Sequence, residues 1–387
     1  MRKWAVLLLA LGSTVPALAA ENLSIEQMEE LLVRLHGKAD AKVAKELAGV
    51  ELTERVSGAR LARWEKENPG ERTREVLTEL ADLSAFHKAP RGDVASDPAP
   101  DGETQQRILG LAVEYVRSTI PRLPNFYATR ETRHYESDPE HTANIGETQN
   151  SEITIDQMTE QHLYGGARTL HRAGAYSRTV TFRDGREVPR STTAEENKEN
   201  PATIGLTTVG EFGPILVIVL TDAIHSKVEW QRWEPGNGGS LCVFRYAVRE
   251  NQSHYKVKLP LGTNIEDFHP AYHGEIEIDP ATGAILRISA VVDMPYRYEQ
   301  MQAEMMVEYA LVEIGERRYI CPVKGVAISS VPEATPTTLG NMGVAYETQL
   351  NDVTFKNYHV FRTESKIVSD GSGKPANDAV PPSVPQQ

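Results

Sequence analysis

The sequence predicts an α+β protein, in which a small N-terminal helical bundle precedes a curved antiparallel β-sheet, a half-barrel with covering helices. Apolar residues recur at helical spacing through residues 24–87. Period-two alternation bounded by Pro and Gly turns fills much of the remaining chain, most clearly residues 272–328. Helices segregated from runs of antiparallel strands are typical of α+β domains.

Residues 1–20 have the pattern of a secretory signal peptide. Arg2 and Lys3 precede an apolar run at residues 4–11, and Ala17 and Ala19 form the small-residue cleavage pattern. A membrane-spanning helix is the alternative interpretation, but it would need about 20 apolar residues. We therefore expect no transmembrane anchor and an exported protein, periplasmic or extracellular.

Composition and motifs exclude several functions. A formal net charge of −13 over 387 residues would repel phosphate backbones, so we expect no nucleic-acid partner. The sequence contains no Gly-x-Ser-x-Gly, His-Glu-x-x-His, phosphate-binding loop or dinucleotide fingerprint. We therefore predict no cofactor, no metal and no catalytic residue.

The chain divides into a bundle at residues 21–87, a Pro-containing linker at 88–103, a sheet domain at 104–368 and a disordered tail at 369–387. Four short amphipathic helices are predicted in the bundle. Such charged modules are often interaction modules, so a protein partner could bind through residues 24–87.

The sheet domain is predicted to begin with a helix at residues 104–120. An apolar run at 214–220 is interpreted as a buried helix that covers the sheet, with a buried strand as the alternative. Asp184-Gly185 is a strong hairpin signal. The predicted strands are 125–136, 168–183, 186–190, 227–233, 240–248, 253–258, the four strands of the 272–328 meander, and one or two strands within 346–367.

Apolar side chains on neighbouring predicted strands form the candidate ligand site. Trp230, Phe244 and Tyr246 are aromatic, and Leu286, Ile288 and Val292 fall on one face of their strand. Such clusters are either core or a ligand groove, and both interpretations stay open.

Two further groups could carry chemistry. Cys242 and Cys321 are either a disulfide or two small buried side chains. His269 and His273 lie near Glu275 and Glu277, which could form the site of an unrecognised hydrolase. The other interpretation of these four residues is a polar loop followed by a solvent-exposed strand face.

Three segments carry a resemblance to a known family. They are Leu-Pro-Asn-Phe-Tyr-Ala-Thr at 123–129, Asp-Pro-Ala-Thr-Gly-Ala-Ile-Leu-Arg at 279–287 and Val-Thr-Phe-Lys-Asn-Tyr-His-Val-Phe at 353–361. Residues 104–367 resemble the lipoprotein-carrier (LolA/LolB-like) half-barrel, and the whole chain resembles exported acidobacterial proteins. The resemblance implies a concave apolar groove that holds acyl chains, without catalytic residues.

We therefore expect an exported binding protein that holds a lipid, lipoprotein or other apolar ligand on the concave face of a curved sheet. The alternatives are a structural or interaction protein with a closed core and the unrecognised hydrolase. The binding protein and the interaction protein differ in whether residues 214–220 fill the concave face of the sheet.

Overall fold

The computed structural model describes residues 21–137, 140–141, 170–188, 210–236, 238–261, 264–295, 301–336 and 342–360. These residues form an α+β fold with a large, curved antiparallel sheet that does not close into a barrel. The predicted fold class is confirmed. The predicted signal peptide and C-terminal tail lie outside the described residues.

Helices occupy the N-terminal region and cover the sheet. The described residues contain six: α1 Ile25–Leu35, α2 Asp40–Leu47, α3 Gly58–Glu67, α4 Glu71–Leu83, α5 Gly102–Thr119 and α6 Pro214–Ile224. A capping box between Ser24 and Gln27 begins α1. None of these helices combines the length and the apolar character that a bilayer crossing requires.

The N-terminal region also contains two strands that the sequence did not predict. β1 Glu21–Leu23 and β2 Val50–Leu52 form a parallel pair beside the helices. Three residues are too few to show a period-two pattern, which explains why both strands were missed.

The remaining strands are β3 Phe126–Ser137, β4 Glu140–His141, β5 Leu170–Arg183, β6 Arg186–Glu187, β7 Lys227–Gly236, β8 Gly239–Val248, β9 Val257–Leu261, β10 Asn264–Phe268, β11 Tyr272–Ile278, β12 Ile285–Val292, β13 Gln302–Ile314, β14 Arg317–Pro336 and β15 Met342–Val360. The large sheet has the order β6-β5-β3-β15-β14-β13-β12-β11-β8-β7, β4 pairs with β15, and β9 pairs with β10 separately. The hairpin predicted at Asp184-Gly185 is confirmed. Both residues have positive φ, as a type I′ turn requires.

The sheet has two covered faces. The inner face, which carries Phe244, Ile276 and Ile288, packs against α5 and α6. The outer face, which carries Met306, Val326 and Leu350, packs against residues 83–86 at the end of α4. Because the N-terminal residues cover the outer face, they are packed on the sheet; the division into separate domains stays a prediction.

One predicted side-chain orientation is wrong. Leu286 was expected to share a face with Ile288 and Val292, but a register shift lies between Ile278 and its neighbour Glu277 on the paired strand β11. Glu277 pairs with Arg287 and Ile278 pairs with Ile285, so Leu286 is an extra, half-buried residue and Ile285 joins the inner core instead.

Candidate functional site

The predicted ligand-binding residues, apart from Leu286, meet on the inner face. Phe244, Tyr246 and Ile288 are buried, Val292 lies in the same apolar cluster, and Trp230 packs against its edge. The ring centroids of Trp230 and Phe244 are 5.6 Å apart, with the rings nearly perpendicular. We call this inner-face cluster the apolar floor.

Helix α6 lies against the apolar floor. Ile215, Leu216, Val219 and Leu220 are buried in the same cluster as the floor residues. The apolar run at 214–220 is therefore a covering helix and not a strand, as predicted. The sequence did not decide whether residues 214–220 fill the concave face of the sheet. In this structure α6 covers the apolar floor on that face.

Within the part of the chain that the structure describes, a small cavity lies beneath the helices. This cavity of about 20 Å³ is lined by residues that include Tyr115, Phe212, Leu216, Ile285 and Tyr309. This volume has room for about one water molecule. An acyl chain could therefore reach the floor only if α6 moved away.

The solvent side of α6 is also apolar. Val217 is 47% exposed and Ile224 is 42% exposed, and Asp222 is the sole charged residue of the helix. A helix that is apolar on all sides is normally buried on all sides. The helix therefore presents apolar side chains to both the floor and the solvent, and Asp222 is the one charged group that its displacement would expose.

Asp222 attaches the C-terminal end of α6 to the sheet. Its buried carboxylate accepts hydrogen bonds from the Tyr272 hydroxyl at 2.8 Å and from the His254 backbone amide at 2.8 Å, and it lies 2.6 Å from Nδ1 of His254. Burial raises the pKa of Tyr272 far above its ordinary range, and the neighbouring Tyr246 and Asp222 add to the effect, so Tyr272 remains a neutral donor. Three hydrogen bonds thus hold one buried charge.

The N-terminal end of α6 depends on glycine. Gly210 has φ of +84° and Gly213 has φ of +158°, conformations that other residues rarely adopt. A Cβ on Gly213 would lie 2.9 Å from Cγ2 of Ile120. The Tyr309 hydroxyl donates to the carbonyl oxygen of Glu211 between them, at 3.0 Å. The chain therefore enters α6 through two conformationally permissive residues.

The acidic residues proposed for a hydrolase are held in ion pairs on the outer face. Arg232 contacts both carboxylate oxygens of Glu275 at 2.7 Å, and Nη1 of Arg55 lies 2.7 Å from Glu277. Burial would raise the pKa of Glu277, but Arg55 and Arg287 outweigh it and lower that pKa. The predicted solvent-exposed strand face is therefore wrong, because N-terminal residues cover it.

The two histidines of that group do not join the carboxylates. Nδ1 of His273 lies 2.8 Å from Asp293, and His269 is exposed in the preceding loop. Within the described residues, no three His, Cys, Asp or Glu side chains converge as metal ligands would. The arrangement gives Glu275 and Glu277 a structural role.

A second buried charge cluster joins α4 to the outer face. Lys324 contacts Asp82 at 2.6 Å and Asp352 at 3.0 Å. Burial raises the pKa of Asp82 to about 8, with Lys324 opposing the rise and Asp352 adding to it. Two carboxyl groups thus share one buried ammonium group, and Asp82 keeps its proton up to about pH 8.

Cys242 and Cys321 are separate buried thiols in this structure, which is the second of the two interpretations of the pair. Cys242 belongs to the apolar cluster of the inner face, and Cys321 packs near Phe126 and Phe212. Burial raises the pKa of both thiols to about 12, so both are poor nucleophiles at neutral pH.

Sequence reasoning missed Asp222, His254 and Arg55. Asp222 is 32 positions from His254 and 50 from Tyr272, so no local motif joins them. The available signal was a single acidic residue at the end of a strongly apolar run. Such a residue inside a buried helix needs partners.

Comparison with protein-family models, with curated proteins and with solved structures found no match to this chain. The resemblance to lipoprotein carriers therefore remains a prediction from the residues.

Proposed function

We propose that this is an exported carrier-type protein that holds the acyl chain of a lipid or lipoprotein on the apolar floor, in the place that helix α6 occupies in this structure. Residues 1–20 direct its export to the periplasm or the extracellular space, and its architecture is that of a lipoprotein-carrier half-barrel. The observation that carries the proposal is α6 itself, an apolar helix over an aromatic floor.

The ligand takes the place of α6 on the floor, since the remaining cavity holds about one water. Burial of an acyl chain on the floor replaces the apolar contacts that α6 makes there, at a similar gain per unit area. The cost is the loss of the Asp222 hydrogen bonds to Tyr272 and His254. Asp222 therefore sets how readily the helix moves.

Native mass spectrometry of protein purified from its own export compartment tests the proposal, together with uptake of a fluorescent fatty acid. We expect a co-purifying lipid and saturable uptake. Replacing Asp222 with alanine should increase uptake, because the helix loses its attachment. The absence of both lipid and uptake would overturn the proposal.

Asp293→Ala is the matched control. Asp293 also lies 2.8 Å from Nδ1 of a histidine, His273, but it belongs to neither α6 nor the floor. Its replacement should leave uptake at the wild-type level. Equal effects of the two substitutions would show that carboxylate loss, and not release of α6, changes uptake.

The second candidate is an interaction protein with a permanently closed core, favoured by the small cavity beneath the helices. In this case a partner binds the N-terminal helices. Deleting residues 24–87 is a poor test, because it would leave Lys324 and Glu277 without their N-terminal partners Asp82 and Arg55. Val33 is 76% exposed on α1, so Val33→Lys should weaken partner capture without unfolding the chain.

A further inference from the structure

The inner face continues beyond the apolar floor into a polar region. Thr132, His134, Gln349 and Asn351 lie on its inner side, on the paired strands β3 and β15. Nδ1 of His134 is 2.9 Å from Oδ1 of Asn351, and its Nε2 is 2.8 Å from Glu136. We call these four inner-face residues the polar strip.

Within the described residues, two buried oxygens of the polar strip have no hydrogen-bond partner. They are Oγ1 of Thr132 and Oε1 of Gln349, and each residue is 1% exposed. Buried polar atoms in folded proteins nearly always have a partner, so each exception needs a physical explanation. Both atoms lie on the face that a ligand would occupy.

Strand register connects the polar strip with the apolar floor. Thr132 is opposite Val353, and the same row continues through Gly325 and Val307 to Ile288. The row crosses four strand spacings, roughly 19 Å. Gly325 has no side chain to interrupt this row. One elongated molecule could therefore contact both regions.

We propose that the polar strip binds the headgroup of an amphiphile whose acyl chain lies on the apolar floor, an inference that rests on the proposed function. Oε1 of Gln349 only accepts hydrogen bonds, so the headgroup must donate one. The carboxylate of Glu136, directly opposite Gln349 in the register, disfavours an anionic headgroup, and the Arg130 guanidinium on the same strand face is paired with Glu211. The ligand class is therefore an acyl chain joined to a neutral hydroxyl or amide group.

Displacement of a bound fluorescent fatty acid from the full chain tests this. The probes are palmitic acid, monopalmitoylglycerol and palmitamide, which separate a hydroxyl-bearing headgroup from an amide. We expect at least one neutral probe to bind about three- to tenfold more tightly than palmitic acid, the effect of one added hydrogen bond. Gln349→Leu and Thr132→Val should each reduce that preference, because each weakens binding of the neutral probe more than binding of palmitic acid.

Thr354→Val is the matched control, because Thr354 is on β15 but on the outer face. The Thr354→Val variant should still bind the neutral probe more tightly than palmitic acid. Without ligand, Thr132→Val should melt no lower than wild type, since it removes an unpaired buried hydroxyl.

Three results would overturn the inference. Equal binding of all three probes would refute the headgroup-binding role of the polar strip, but it would not contradict the proposed function. Loss of palmitic acid binding in both variants, with lowered melting temperatures, would show a structural role for the two side chains. Failure of every probe to bind would remove the proposed function and this inference together.

Discussion

Replacing Arg55 with methionine should lower the free energy of unfolding by about 3 kcal/mol, the lower end of the range for breaking a buried ion pair. The Arg55 side chain is 9% exposed and contacts Glu277 and Glu234. Burial alone would lower its pKa, but these carboxylates raise it overall. Each carboxylate retains a second guanidinium, from Arg287 or Arg232, which limits the loss.

Urea denaturation measures the effect through the midpoint at constant slope. Arg63→Met is the matched control, because Arg63 pairs with Glu29 but is 52% exposed, and it should cost about 1 kcal/mol or less. Adding Glu277→Gln to Arg55→Met should recover part of the loss, since it removes a buried charge whose remaining partner, Arg287, lies 3.4 Å away. Equal small effects of Arg55→Met and Arg63→Met would refute the buried attachment of the N-terminal residues.

Three other predictions concern single sites. The pKa of Asp82 is raised to about 8, so the folded protein holds a proton that the unfolded chain releases near pH 4. Stability relative to Asp82→Asn should therefore fall as pH rises from about 4 to 8, and a flat difference would contradict this. Ile288→Ala should cost about 2–5 kcal/mol in urea denaturation and Leu286→Ala clearly less, because only Ile288 is fully buried; equal costs would refute the bulge. Cys242 and Cys321 should react with a thiol reagent only after unfolding, and rapid reaction of the native protein would contradict their burial.

Regular periodicity explains what could be predicted. The helices of the N-terminal region, the hairpin at Asp184-Gly185 and the α+β class all follow from local patterns of apolar residues and turn residues. The covering role of residues 214–220 was also predicted, since a strongly apolar segment must be buried. These features depend on neighbours in sequence.

Contacts between residues far apart in the sequence explain the features that could not be predicted. Arg55 is 222 positions from Glu277, and neither residue differs locally from any solvent-exposed charge. The face of Glu275 and Glu277 was therefore expected in solvent. Leu286 was misplaced because a bulge changes the period-two alternation by one residue, without a Gly or Pro to mark it.

The candidate site was predicted only in part. Alternation grouped Phe244, Tyr246 and Ile288 correctly, because their strands are regular. It could not show that Thr132 lies in the same register row as Ile288, since β3 and β12 are far apart in sequence and are connected only through three intervening strands. Strand order, and not local pattern, decides which side chains share a ligand face.

Hydrogen exchange of α6, with and without palmitic acid, tests the central claim most directly. The proposed displacement predicts that amides of residues 214–224 exchange faster when the acid binds, while β8 and β12 remain protected. Unchanged protection of α6 in protein that binds the acid would contradict it, because the acyl chain would then lie elsewhere than on the apolar floor.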